Sequence, residues 1–447
     1  MVLTVLTDDQ IKAILADLTA DEFEGFRKTI STALHEYSTN THNIEDGTYH
    51  QPERISTENL RTGATTLYMP SVGPRAWDAK PTGAVTLLSP EGQPVGFLHA
   101  KTLTAFRTAL TSTCLLARRG QVKTVTVFGV GLQAYWHVRL ALLIRGSTIK
   151  HVNVINRRFS DQARVFLQQF YEVPHHIKER EGWAGTTFCI LTPGYGEFKR
   201  LQREQIRDAD VVYCCTPSTE DLFEAEVLTN HEGRRKGRLV AAIGSYTPEM
   251  RELPEGLLLQ ATKHEKPHWH FHKHAPEGGV IVVDTLDGAL KEAGEIIAAG
   301  LQPTQLVELG ELIMLRRMHE EEEAAEAEGE TASIAPSELD KLDFSGTPSI
   351  KSAFSGSDGA SASDSRSSIS KDSTTGSHSS KGPSILRRSS SQKSSEKHKK
   401  EDALVKWLRD GTVIYKSVGL GLMDLAVGMH MVQLAREKGI GTQVEGF

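Results

Sequence analysis

No run of about 18 apolar residues occurs in the chain, so no membrane span is expected. Cysteine is nearly absent: only Cys114, Cys189, Cys214 and Cys215 occur, and none stands in a C-x-x-C pair. Cys214 and Cys215 are adjacent in a strand-like run, and the four read as reduced core residues of a cytosolic protein. No basic residue adjoins any of them, which argues against a catalytic thiol. An excess of positive charge is missing too. The formal net charge is −6 over 447 residues, so nothing draws the chain as a whole to nucleic acid or to an anionic membrane. The start of the chain lacks a basic segment and reaches Asp8 and Asp9 almost at once, unlike a secretory signal. There is no internal repeat, and the length suggests roughly two or three domains.

What is present is organised around residues 122–144. An alternating β-branched run with Val125 and Val127 ends at Gly129-Val130-Gly131-Leu132-Gln133-Ala134. Trp136, Leu140, Leu143 and Ile144 follow at helical spacing. This is strand, glycine turn, helix. The first glycine permits the tight turn, and the second lets backbone approach a pyrophosphate. The small Ala134 lets helix pack on strand. A phosphate then meets a helix N-terminus, where unpaired N–H groups and the dipole favour an anion. The same pattern also occurs as a plain glycine turn in other βα units.

Thr7 to about Ser38 reads as helical, with Thr7 as cap and Ile11, Ile14 and Leu15 opening an apolar stripe. Short β-type runs at Thr65–Met69, Gly83–Leu88 and Pro94–Leu98, separated by Gly/Pro turns, predict an antiparallel sheet. Lys101 to Arg118 is helical again. Strands at His151–Ile155, Ala209–Cys215, Leu239–Ile243 and Val280–Val283 alternate with helices such as Asp161–Tyr171. That pattern predicts an α/β fold with a Rossmann-type doubly wound parallel sheet. From Glu320 the composition shifts, first to an acidic run, then over Ser345 to Ser395 to Ser, Gly, Asp and Lys. Such a segment cannot bury enough surface to offset its ordering entropy, and disorder is expected. Leu420 to Ala435 reads as an amphipathic helix with Leu422, Leu425 and Met429 on one side.

Several motifs together resemble the ornithine cyclodeaminase/mu-crystallin family. They are Leu103-Thr104-Ala105-Phe106-Arg107-Thr108-Ala109, the glycine turn with Gln133-Ala134, and Cys215-Thr216-Pro217-Ser218-Thr219. Then come Ile243-Gly244-Ser245-Tyr246-Thr247-Pro248 with Glu252-Leu253, Glu292-Ala293-Gly294-Glu295-Ile296, and Tyr415-Lys416-Ser417-Val418-Gly419 running on to Asp424-Leu425. They recur in the family's order over about Thr7–Met318 and Gly411–Phe447. The resemblance implies a Rossmann domain plus an α+β substrate and dimerisation domain, hence a homodimer. The corresponding division is 1–116, substrate domain; 117–318, nucleotide-binding domain; 319–402, disordered insertion; and 403–447, a segment returning to the substrate domain.

The resemblance places Arg107 at the family's substrate-carboxylate arginine, and a guanidinium fork binds a carboxylate bidentately. A helix arginine reaching solvent is the other reading. Arg54 resembles a second family position near the substrate. The family's substrate lysine, on a strand after the Met-Pro pair, has no evident counterpart. Ser71 to Thr82 holds only Lys80, which either replaces it or is a loop lysine before Pro81. Asn156-Arg157-Arg158 closes the second strand of the nucleotide unit. A neutral residue followed by arginines accommodates a 2′-phosphate, so NADP(H) is expected over NAD(H); a solvated arginine pair is the alternative. Thr216, Pro217 and Ser218 lie at a strand's carboxyl end, where ligands sit in open α/β sheets. Tyr246 stands where the family's cyclodeaminases carry an aspartate. A phenol is a poor base but a usable hydrogen-bond donor, which tilts the reading toward reduction of an imine. A packed core tyrosine is the other reading.

His268, His270, His272 and His274 alternate after His264, but no carboxylate or cysteine completes a metal-ligand spacing, and no metal is expected. Arg387-Arg388-Ser389-Ser390 has the form of a kinase site with basic residues. The expectation is a cytoplasmic NAD(P)H-dependent oxidoreductase acting on a small amino or imino acid. Two alternatives stand beside it: ornithine cyclodeaminase, forming proline and ammonia, and a non-catalytic nucleotide-binding protein.

Overall fold

The computed structural model describes residues 2–40, 55–59, 64–69, 71–73, 76–79, 83–89, 91–263, 278–313 and 407–447. Arg54, Lys80, the His264–His274 cluster, Arg387-Arg388-Ser389-Ser390 and the span 319–402 lie outside these residues.

The chain opens with β1 (Val2–Leu6), α1 (Asp8–Ala16) and α2 (Ala20–Asn40). Thr7 caps α1 by a reciprocal pair of bonds with Gln10. The one helix expected over Thr7–Ser38 is two, because Thr19 and Glu22 make a second reciprocal pair that starts α2 afresh. Next come β2 (Ile55–Asn59), β3 (Ala64–Tyr68), β4 (Ser71–Gly73), β5 (Ala76–Ala79), β6 (Ala84–Leu88), β7 (Pro94–His99) and α3 (Ala100–Leu116). β4 to β7 form an antiparallel meander, as the turn spacing predicts. A strand not expected from the sequence lies after Met69: β5 pairs with both β4 and β6.

The nucleotide unit runs β8 (Thr124–Phe128), α4 (Leu132–Arg145), β9 (His151–Ile155), α5 (Asp161–Tyr171), α6 (His175–Arg180), β10 (Thr187–Leu191), α7 (Phe198–Asp208), β11 (Val211–Cys214) and α8 (Glu226–Thr229). It continues through β12 (Leu239–Ala242), α9 (Glu255–Ala261), β13 (Val280–Val283), α10 (Leu286–Glu292), α11 (Gly294–Ala298) and β14 (Leu306–Glu308). The last segment holds β15 (Val413–Lys416), α12 (Gly421–Glu437) and β16 (Thr442–Glu445).

These strands form an eight-stranded sheet in the order β10-β9-β8-β11-β12-β15-β13-β14, parallel throughout. Its central strands are buried on both faces, as a parallel sheet requires. Val125, Val127, Tyr213, Leu239 and Tyr415 enter one apolar core, while Val212, Cys214, Val240, Ala242 and Ile414 enter the other. The first core continues without a break into the six-stranded sheet β16-β1-β7-β6-β5-β4 through Leu87, Leu98 and Phe106. α3 lies between the sheets, buried along nearly its whole length.

The sequence reading joins all of 403–447 to the N-terminal part. Its strand β15 instead sits inside the parallel sheet, between β12 and β13, while β16 pairs with β1. α12 is not amphipathic. It packs against α2, α3 and β4 to β7, and burial covers most of its circumference. Cys114, Cys214 and Cys215 are buried, but Cys189 is exposed, because β10 is the sheet's edge strand and its Thr187–Cys189 face is open. Among the described residues no helix is long and apolar enough to cross a membrane.

Candidate functional site

The strand order reverses between β8 and β11, and the turns after these strands face each other at the carboxyl edge of the sheet. Such a switch point is where open α/β sheets bind ligands. Gly129 has φ +97°, in the left-handed region that favours glycine, and a Cβ there would lie 3.0 Å from the Cys215 carbonyl oxygen. Gly131 is the N-cap of α4 and makes no side-chain cap bond. A Cβ on Gly131 would meet no atom of the described residues within 4 Å. The first amides of α4 therefore lack a capping side chain beside open space, the arrangement that suits a phosphate. Ala134 is fully buried, where a larger side chain would push α4 off the sheet. Gln133 keeps a buried Oε1 with no donor among the described residues.

At the end of β9, Asn156 Nδ2 donates to the Arg158 carbonyl at 2.8 Å, closing the turn on itself. Arg157 and Arg158 are exposed and make no ion pair among the described residues. Their charge is uncommitted, in a position an adenosine ribose would reach.

The turn after β11 is less free. The Thr216 hydroxyl donates to Glu252 Oε1 at 3.2 Å, and the Ser218 hydroxyl donates to the Glu220 carbonyl at 2.6 Å. Thr216 and Ser218 therefore offer backbone more than hydroxyls to a ligand. Gly244, after β12, lies so close to this turn that a Cβ would overlap the Thr216 carbonyl. Tyr246, two residues on, is 41% exposed, so the packed-core reading fails and its hydroxyl is free to meet solvent or ligand.

Beneath Tyr246 lies a buried polar network that the sequence reading treats only as motif. The Lys416 ammonium donates to the Ser245 carbonyl and hydroxyl and lies 3.3 Å from Glu295 Oε1. All three side chains are buried. Glu252 is buried too, and burial pushes its carboxyl up to about 7, with Lys416 and the Thr216 N–H pulling the other way. Past Lys416, Asp284 Oδ2 accepts from the Ser417 hydroxyl and from the Val418 and Gly419 amides at 2.7–3.0 Å. The Gly419 backbone then lies against the Arg107 guanidinium. Arg107 therefore borders the turn at the end of β15, while Lys416 on the same strand ties that end to Ser245, the residue before Tyr246.

Arg107 does not reach solvent. It is 4% exposed, its Nη2 lies 3.2 Å from Asp424 Oδ2, and its Nη1 faces the Met423 sulfur at 3.2 Å. Its Nε has no acceptor among the described residues. A thioether is a weak acceptor, so the N–H groups other than the one facing Asp424 lack a strong partner among the described residues. A carboxylate would complete them, and Asp424 already balances part of the charge.

α3 and α4 are tied at Ser112 and His137. The Gln133 carbonyl lies 2.8 Å from Nδ1, so that nitrogen carries the proton, and Nε2 accepts from the Ser112 hydroxyl at 2.9 Å. Burial pushes the imidazole down to about 4. The folded chain therefore holds this histidine neutral, and the stability it confers is full above pH 6.5 and is lost as pH falls to about 4. The loss is about 3 kcal/mol. Urea unfolding at pH 7 and pH 4.5 checks this: His137→Gln should narrow the difference between the two by about 2 kcal/mol, most of that loss. An unchanged difference contradicts it.

The parallel order, the glycine turn and the uncapped helix define a Rossmann-type α/β protein. No family model matches the chain. It is 23% identical over 344 residues to an uncharacterized protein of Saccharomyces cerevisiae, covering 70% of this chain and 87% of the relative. It is 29% identical over 230 residues to Delta(1)-pyrroline-2-carboxylate reductase of Bacillus cereus, covering 50% of this chain and 57% of the relative. With ketimine reductase mu-crystallin of Mus musculus the identity is 26% over 234 residues, covering 52% and 58%. The chain thus spans little more than half the length of these two reductases. Its fold matches a probable ornithine cyclodeaminase from Bordetella pertussis, TM-score 0.56 at 20% identity, covering 98% of this chain and 99% of the other. It also matches the Thermococcus litoralis Delta(1)-pyrroline-2-carboxylate reductase in complex with NADH and L-proline, TM-score 0.58 at 16% identity, covering 99% and 100%. Over about half its length the chain is thus similar in sequence to two named reductases, and over nearly all of it the fold is that of the two solved structures.

Proposed function

We propose that the chain is a nicotinamide-dinucleotide-dependent oxidoreductase that reduces a small imino acid, or oxidises the matching amino acid. The observation that carries this reading is the uncapped start of α4, where Gly131 leaves open space at the switch point of the sheet. Gly129, Gly131, Gln133 and Ala134 would line the diphosphate. Asn156, Arg157 and Arg158 would border the adenosine ribose, and Thr216, Pro217 and Ser218 would form the facing wall. The residues present fit such a group, whose bound nicotinamide would supply or accept hydride. Arg107 offers the guanidinium N–H groups that have no oxygen acceptor among the described residues to a substrate carboxylate and orients it. Tyr246 presents a phenol that donates a hydrogen bond or a proton more readily than it accepts one near neutral pH. Arg54 and Lys80 remain candidates for the substrate side. The relatives named as reductases of imino acids support the same direction. Assembly as a homodimer in the cytoplasm belongs to this proposal.

The test is consumption of NADPH or NADH with a panel of cyclic and linear imino acids, with ornithine plus NAD in parallel. Turnover of an imino acid is the expected result. Proline and ammonia from ornithine, without net cofactor use, would favour cyclodeaminase instead. A second reading has one observation in its favour. Arg107 is nearly buried and already paired with Asp424, as in a dinucleotide-binding protein that has lost catalysis. Dinucleotide binding without turnover of any imine would select it.

The proposal includes a preference for NADP(H), supported by the two exposed arginines. Replacing Arg157 and Arg158 together with alanine should weaken NADPH binding about tenfold or more while NADH changes little. Equal losses with both dinucleotides would contradict this.

A further inference from the structure

The buried carboxylate of Glu252 divides its two oxygens between two turns. Oε1 accepts from the Thr216 amide at 2.7 Å and the Thr216 hydroxyl at 3.2 Å. Oε2 accepts from the Gly244 amide at 2.7 Å and the Ser245 amide at 3.3 Å. The first turn leaves β11 and forms one wall of the crevice. The second leaves β12 and carries Tyr246. Gly244 brings their backbones into contact. Backbone bonds from Leu222 to the Glu252 carbonyl and from Arg251 to the Ser218 carbonyl tie the glutamate's own segment to the first turn. Lys416 holds Ser245 from the opposite side.

We propose that Glu252 is a positioning residue: its carboxylate fixes the spacing of the two turns, one oxygen to each, and so sets the wall against which the nicotinamide dinucleotide lies. This rests on the reading above that the crevice takes a dinucleotide. The pattern of partners suits the ionised carboxylate, which prevails above about pH 7. Every described group bonded to the two oxygens is a donor. A glutamine of the same shape offers one acceptor and turns its NH2 donors toward the other turn, where they meet amides that also donate. Glu252→Gln therefore removes the bridge while keeping the volume, and Glu252→Ala removes both halves.

The test uses the full chain. Amide hydrogen exchange is followed at Thr216, Gly244 and Ser245 in the native chain and in both variants, and NADPH binding is titrated in the same samples. In Glu252→Ala the amides of both turns should exchange about tenfold faster, and in Glu252→Gln those of one turn. The NADPH dissociation constant should rise about tenfold in each. Native exchange at both turns, or native affinity, in a folded variant overturns the proposal. If neither variant folds, the native chain decides: the three amides should be protected in it, and exchange at the rate of exposed turns overturns the bridge. If the native chain binds no NADPH, the dinucleotide reading fails, while the exchange measurements still test the bridge.

Discussion

Gly131→Val should fold like the native chain and lose its dinucleotide. The two halves of that result come from one measurement of space. A Cβ at Gly131 meets no atom of the described residues within 4 Å, so the branch point of an added side chain stands clear of them. Its φ of −83° is open to any residue. The cost to the helix is that of replacing a glycine N-cap by a residue that caps poorly, about 1 kcal/mol or less. The space it fills, however, is where the diphosphate would approach the first amides of α4. Calorimetric titration with NADPH should show affinity down by about a hundredfold, roughly 2.7 kcal/mol, with a nearly unchanged melting temperature. Native affinity in a well-folded Gly131→Val would remove α4 from the binding site. The contrast with Gly244 is instructive. A Cβ there overlaps the Thr216 carbonyl, so Gly244→Ala would damage fold and site together and separate nothing.

The second large effect concerns Arg107 and Asp424. Their charged groups lie 3.2 Å apart, 4% and 0% exposed. Breaking a buried pair by removing one partner leaves an uncompensated charge, and Asp424→Asn should cost about 3–5 kcal/mol of stability. Replacing both by apolar residues of similar size removes the need for compensation. The double variant Arg107→Met with Asp424→Leu should recover most of that loss. It should not recover turnover of an imino acid, because the guanidinium fork is gone. Arg107→Lys separates charge from shape. It keeps a cation beside Asp424 but offers a point charge in place of a fork, and kcat/KM should fall about a hundredfold. Urea unfolding and steady-state kinetics of the four proteins check this together. A loss under about 1 kcal/mol in Asp424→Asn would show that the pair carries little charge energy. Full activity in the double variant would exclude Arg107 from the substrate site.

The sequence carried the parallel sheet because its short, continuously apolar strand runs alternate with helical stretches, and the glycine turn marked the switch point. Strands whose partner lies far away in sequence were not legible. β15 is only Val413–Lys416, beyond a long polar segment, and nothing local says that it inserts between β12 and β13. β16 is Thr442–Glu445, exposed at every residue, and it is a strand only because β1 offers an edge. α12 shows a helical period, but periodicity cannot tell a helix with one apolar face from one enclosed by α2, α3 and a sheet. In the site, Gly129, Gly131 and Ala134 were readable because backbone geometry dictates them. The Lys416–Glu295–Ser245 group was visible only as separate motifs, since its charges compensate each other across three distant segments. The same holds for Arg107: the family resemblance marks it, but its partner Asp424 is 3.2 Å away in space and on the last helix.

The claim beneath all of this is that the crevice between the β8 and β11 turns binds a nicotinamide dinucleotide. Titration of the full chain with NADPH and NADH, followed by nicotinamide fluorescence, tests it most directly. The account predicts saturable binding, tighter for NADPH. No fluorescence change with either dinucleotide, together with no thermal stabilisation, would contradict it.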